Sequence, residues 1–153
     1  MWNRIGRYCE QHQIQLPSLK RVLSAGAPVP VHVIQRMRQT FTNSETDINT
    51  PYGATESLPV ASICGRDVLE KTSEQTQSGA GTCVGTPFPG VQVRIIQIHN
   101  EPIGSIEHAV ELPAGEIGEI IVQGPMATRE YFQRPEATQL AKIPDGDRFW
   151  HRM

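Results

Sequence analysis

The hydrophobic pattern changes its period near Thr82, and no other feature limits the fold of this chain as strongly. Before that point apolar residues recur at helical spacing: Ile5, Tyr8 and Cys9 stand at i, i+3 and i+4, and Ile34, Met37 and Phe41 at i, i+3 and i+7. After it come short β-like runs cut by glycine and proline, at Cys83-Val84-Gly85, Val91 to Ile98 and Glu116 to Gln123. Such a chain is expected to be α/β plus β: a parallel βαβ piece over residues 1–81, then a small antiparallel sheet or barrel over 82–153. With 153 residues in all, the two parts are small and share a modest core.

Within the first part, Trp2 to Gln13 reads as a helix closed off by Pro17. Leu19, Val22 and Leu23 form a strand that runs into the small-residue turn Ser24-Ala25-Gly26-Ala27. A second helix starts after Pro30, where a proline lacking its N–H is tolerated. Ile48 and Tyr52 flank a further strand that stops at Gly53, and the order β, α, β predicts a parallel pair. Val60 to Cys64 is another apolar stretch. Lys71 to Gly81 is nearly free of large apolar residues and reads as a mobile loop at the boundary. In Val91 to Ile98, Val91, Val93 and Ile95 face one way and Ile96 and Ile98 the other, so part of this strand is expected to be covered on both sides. His99 to Pro113 is a long polar hairpin, and beyond Gly124-Pro125 the chain reads as helical or irregular.

Charge and composition exclude several classes. Fourteen Lys and Arg against sixteen Asp and Glu give a net charge of −2, which offers no electrostatic case for nucleic acid or an anionic membrane. The basic residues gathered in the first forty positions fit solvated outer faces of helices. No apolar run approaches the roughly 18 residues of a membrane span, and the polar stretch after Arg7 is no signal peptide, so a cytoplasmic location is expected. Cys9, Cys64 and Cys83 form no C-x-x-C pair, and the five histidines show no zinc spacing.

Two strings carry chemistry. In Tyr52-Gly53-Ala54-Thr55-Glu56 a ring can cover a base, glycine admits a ligand close to the backbone, a hydroxyl can donate to phosphate, and a carboxylate can hold Mg²⁺. All stand at a strand's carboxyl end, where open α/β sheets bind ligands. The same five residues equally fit a plain turn in which Thr55 caps a short helix and Glu56 is solvated. Ser24-Ala25-Gly26-Ala27-Pro28 ends the neighbouring strand and fits either a ligand-lining loop or a packing turn. No phosphate-loop or hydrolase-elbow string is present, and Gly79-Ala80-Gly81 with Gly85 has the wrong spacing for a dinucleotide loop.

Taken in order, these strings resemble the adenylate-forming superfamily, which includes acyl-CoA synthetases, peptide-synthetase adenylation domains and luciferases. Ser24 to Pro28 is similar to its adenine-side motif. Asn49 to Glu56 resembles its Y-G-x-T-E motif, and Gly115-Glu116-Ile117-Gly118-Glu119-Ile120 with Gly124-Pro125 its G-E-x-x-x-x-G strand. Ala54, where peptide synthetases usually have proline, and the run Gly81 to Gly85 are more similar to fatty-acyl ligases, and most of all to bacterial olefin-biosynthesis β-lactone synthetases.

The resemblance implies a two-step reaction in which a carboxylate, of fatty-acyl type, attacks the α-phosphorus of Mg²⁺-bound ATP and the acyl-adenylate is captured by CoA or another nucleophile. Tyr52 would cover the adenine, and Gly26, Ala27 and Pro28 would line its pocket with Gly53 and Ala54 beside it. Thr55 would bind phosphate oxygen and Glu56 would hold Mg²⁺, while Glu116 and Glu119 would be structural. The family's phosphate loop, ribose-binding aspartate and catalytic lysine have no counterpart here. The chain is therefore expected to be an internal piece, inactive alone and prone to self-association through uncovered core. An amino-acid-activating domain is the alternative within the class, and a non-catalytic interaction module the alternative outside it.

Overall fold

A computed structural model describes all residues, Met1–Met153. Helix α1 (Trp2–His12) buries Gly6 and Cys9, and Tyr8, placed on its apolar stripe by spacing, is exposed. The reason is Gly6. A Cβ there would come within 3.2 Å of the Arg36 and Met37 side chains, so helix α2 (Val31–Arg38) packs against the bare backbone and turns Tyr8 outward. Arg36 also donates to Glu10 at 2.9 Å and to Asn3 at 2.9 Å. From α2, Val33, Ile34 and Met37 are buried.

Strand β1 (Val22–Leu23) pairs in parallel with β2 (Ile48–Ala54), Val22 opposite Ile48, as the β, α, β order requires. A two-residue turn, Thr55-Glu56, leads to β3 (Ser57–Cys64), and β4 (Thr86–Pro87) completes a sheet of order β1-β2-β3-β4. Val22, Ile34 and Ile48 form the core of this region, with Trp2, Phe41, Val68 and Leu69 packed on it.

Two expectations fail here. Residues 65–80 form successive helical turns instead of a loop, since Val68 and Leu69 anchor their start on the core and Ser73 and Ser78 hydroxyls bond back to Leu69 and Glu74 carbonyls at 3.1 and 2.9 Å. Cys83-Val84-Gly85 is not a strand. Gly85 passes so close to β3 that a Cβ would overlap the Ser62 carbonyl, and pairing begins only at Thr86.

The second sheet is antiparallel, of order β5-β6-β8-β7, from β5 (Gln92–Ile96), β6 (Glu119–Gln123), β7 (Lys142–Asp145) and β8 (Arg148–Arg152). On one face Ile96, Ile121, Ile143 and Trp150 pack together, joined by Ile103 from the loop after β5. That loop is therefore not wholly polar, while Ile98, expected under cover, is 66% exposed because the strand has already ended. Arg94 lies over the Trp150 ring at 4.5 Å, and Arg152 bonds Glu119 at 2.8 Å in a pair only 7% and 15% exposed.

Residues past Gly124-Pro125 were expected to be helical or irregular, and only Pro135–Ala141 is helix. The β7–β8 hairpin follows. Its signal is the two-residue turn Gly146-Asp147 between the strands, with Gly146 at φ 57°, a turn dipeptide that favours a hairpin. By its internal contacts the chain divides into two units, Met1–Tyr52 with Ala61–Thr86, and Gly53–Val60 with Pro87–Met153.

Candidate functional site

The Ser24 N–H extends the parallel pairing by donating to Asn49 O at 3.0 Å, so the chain leaves β1 at the edge toward which β2 runs to Tyr52. Gly26, Ala27 and Pro28 follow as exposed backbone, with Gly26 at φ 90° and open space around it. A depression of about 380 Å³ lies beside them, lined by Trp2, Leu23, Ala27, Pro28 and Val33 among others. Tyr52 is half-buried at its end of β2. These residues all belong to the first unit.

Gly53, Ala54, Thr55 and Glu56 belong to the second. Gly53 is required by close approach, because a Cβ would overlap the Ser57 carbonyl across the turn. Thr55 caps no helix: it is exposed on the hairpin turn and its hydroxyl bonds nothing in the protein. Glu56 is not simply solvated. Its carbonyl accepts from Thr128 N–H at 2.7 Å, Ser57 bridges Ala127, and Tyr131 donates its hydroxyl to Glu56 Oε1 at 2.9 Å. Glu56 Oε2 makes no protein hydrogen bond, and the neighbouring Ser57 hydroxyl is buried without a partner.

Tyr131 and the two bases beyond it escaped the sequence reading, as their only signal would have been a contact 75 residues away from Glu56. The register sets Lys142 opposite His151, on the sheet face away from Trp150. Lys142 Nζ is 3.1 Å from His151 Nδ1, with both residues buried, and it lies 6.0 Å from the Tyr131 ring centre and 5.2 Å from that of Phe149.

These neighbours set the charges. The Tyr131 hydroxyl, followed by a backbone hydrogen bond, holds the Glu56 carboxyl below its ordinary value; His151 and Lys142 add smaller pulls in the same direction against partial burial. Burial pushes the Tyr131 phenol up, helped by the Glu56 carboxylate. Burial pushes Lys142 down, partly offset by Glu56, and burial with the adjacent Lys142 ammonium pushes His151 down. Glu56 is thus ionised near neutral pH, close to two buried basic side chains.

No three His, Cys, Asp or Glu side chains converge to cage a metal. A single ionised carboxylate with one free oxygen nevertheless fits Mg²⁺, which commonly takes one or two carboxylates and fills its remaining positions with phosphate oxygens and water. Both Glu119 oxygens are taken up by Arg152, and Glu116 is exposed. Gly118, between them, lies so near β5 that a Cβ would overlap the Ile96 carbonyl, which accounts for the glycine of that string.

The fold is similar to that of a long-chain-fatty-acid-CoA ligase from Archaeoglobus fulgidus, with a TM-score of 0.68 at 21% identity over 99% of this chain and 29% of that one. The α/β plus β fold expected from the sequence is that of the N-terminal domains of adenylate-forming enzymes. The profile of the AMP-binding enzyme family matches residues 1–132, and the chain belongs to that family. Its curated relatives include the olefin beta-lactone synthetases of Stenotrophomonas maltophilia, 47% identical over 96% of this chain, and Xanthomonas campestris, 46% identical over 90%. The chain spans 27% and 25% of their respective lengths. No helix is long and apolar enough to cross a membrane.

Proposed function

We propose that this chain is the nucleotide-binding part of an ATP-dependent ligase that activates a carboxylic acid of fatty-acyl type as its adenylate, releasing pyrophosphate, in the cytoplasm. Both parts of the sequence, residues 1–81 and 82–153, serve one nucleotide-binding domain. The observation that carries the reading is the Thr55-Glu56 turn, which presents an unengaged hydroxyl next to a carboxylate held in place with one oxygen free. A plain surface turn has no reason to fix its glutamate in this way.

Gly26, Ala27 and Pro28 line the adenine pocket, where bare exposed backbone admits a flat ring. Tyr52 covers the base, and Gly53 and Ala54 belong to the same nucleotide-binding string. Thr55 donates its hydroxyl to a phosphate oxygen. Glu56 offers its free oxygen to Mg²⁺, which when bound neutralises phosphate charge and orients the α-phosphorus for attack. The attacking oxygen is the substrate carboxylate, and the bond that breaks is that from the α-phosphorus to the bridging oxygen of pyrophosphate.

The acceptor is an internal hydroxyl, closing a β-lactone with AMP as leaving group, or else CoA. The 47% identity to an olefin beta-lactone synthetase supports the first. ATP–pyrophosphate exchange by the full-length protein with long-chain 3-hydroxy acids, plain fatty acids and amino acids tests the reading. Exchange with the long-chain acids supports it, amino-acid-dependent exchange replaces the fatty-acyl assignment, and no exchange with any acid removes the proposal. Thr55→Val is expected to weaken exchange about 10-fold or more, the usual scale for losing a positioned donor.

A further inference from the structure

Thr55 and Glu56 are neighbours on one turn, yet only Glu56 is tied down, and every tie comes from residues 127–131. Ala127 bridges Ser57, Thr128 N–H donates to the Glu56 carbonyl at 2.7 Å, and the Tyr131 hydroxyl donates to Oε1 at 2.9 Å. Tyr131 is itself anchored. Its N–H donates to Thr138 Oγ1 at 2.9 Å, that hydroxyl donates to Arg134 O at 3.0 Å, and the helix Pro135–Ala141 carries Thr138. The ring lies 6.0 Å from buried Lys142 Nζ, which is in turn fixed by His151 at 3.1 Å. A long, flexible glutamate is thus held at three levels by groups that are already rigid, the arrangement by which outer groups orient a metal-binding carboxylate.

We propose that Tyr131 is a positioning residue for the nucleotide site: its hydroxyl occupies Glu56 Oε1 and locks the carboxylate so that Oε2 alone faces a divalent cation brought in with the nucleotide. The inference rests on the function proposed above and adds to it a residue that touches neither nucleotide nor cation. Its chemistry is one-sided. A phenol hydroxyl donates to the carboxylate while its backbone is anchored to Thr138 and its ring lies near the Lys142 ammonium.

The test uses the full-length protein, with Tyr131→Phe, Glu56→Gln and the double variant. Tyr131→Phe keeps the ring and removes only the hydroxyl. It is expected to raise the Mg²⁺ concentration for half-maximal pyrophosphate exchange by about 10-fold, the lower end of the 10–100-fold cost of losing such an orienting group. Saturating Mg²⁺ should restore most of the rate. In a readout independent of turnover, Mn²⁺ titrated by electron paramagnetic resonance against protein loaded with a non-hydrolysable ATP analogue should bind more weakly by a similar factor.

In the Glu56→Gln background, Tyr131→Phe is expected to add nothing further. Unchanged Mg²⁺ dependence and Mn²⁺ affinity in Tyr131→Phe, with exchange lost in Glu56→Gln, would overturn the positioning role and leave the site reading intact. Full exchange in Glu56→Gln would instead overturn the site reading beneath it. If Tyr131→Phe fails to fold, Thr138→Val carries the same test, since it frees the Tyr131 backbone without touching Glu56; a raised Mg²⁺ requirement supports the lock and an unchanged one refutes it.

Discussion

The two units hold their functional residues by opposite means. In the first, Gly26, Ala27 and Pro28 are exposed backbone beyond a two-residue strand, and the core beneath, of Val22, Ile34 and Ile48, ends before them. In the second, Glu56 is tied through Tyr131 to a sheet buried on both faces, apolar around Trp150 on one side and with the Lys142–His151 pair on the other. A flat base needs only space and backbone, whereas a carboxylate must be fixed to within a fraction of an ångström to serve an ion. Rigidity is concentrated where the chemistry is electrostatic.

The largest expected effect on stability is in the second unit. Trp150→Ala, which empties the centre of a fully buried cluster and frees Asp145 from its indole hydrogen bond at 2.9 Å, should cost about 3–5 kcal/mol in denaturant unfolding. A cost below about 1 kcal/mol would break the contrast. Next is Glu119→Gln, which keeps the shape and removes the charge from the buried pair with Arg152; a loss of about 2 kcal/mol with pyrophosphate exchange near normal is expected. Loss of exchange without loss of stability would show that the G-E string is functional.

Lys142→Met should act in the opposite direction. It removes a buried ammonium whose one hydrogen-bond partner is a neutral imidazole, and is expected to stabilise by on the order of 1 kcal/mol. His151 supplies the pH dependence. Its folded-state pKa lies below the ordinary 6.5, so the unfolded chain binds the proton first, and stability declines as pH falls below about 6.5 until the folded-state pKa is passed. Because the Lys142 charge is one cause of that shift, Lys142→Met should shrink the decline; thermal unfolding between pH 5 and 8 measures both effects. The smallest effect is in the first unit, where Pro28→Ala, on an exposed loop, should move stability by less than about 0.5 kcal/mol while weakening binding of an ATP analogue.

The parallel pair and the antiparallel sheet were legible because each has its own period, 3.6 around Ile34 and Met37 and 2 along Gln92–Ile96. The β7–β8 hairpin was legible in principle from Gly146-Asp147 and was masked by the helical pattern just before it. Helical turns over 65–80 were not, since they are held by hydroxyls bonding back to carbonyls, with no apolar stripe after Leu69. At the site, Tyr52 to Glu56 could be read from local chemistry alone. Tyr131, Lys142 and His151 could not, because pairing and register bring them to Glu56 and nothing in their immediate neighbours marks them.

The account stands or falls on Glu56. In the full-length protein Glu56→Gln preserves size and polarity and removes the charge offered to Mg²⁺, so ATP–pyrophosphate exchange should fall by about 100-fold or more. The midpoint of thermal unfolding at neutral pH should move by no more than a few degrees. Full exchange in that variant, or a loss accompanied by unfolding, would contradict the metal-facing role and return the Thr55-Glu56 segment to a simple turn.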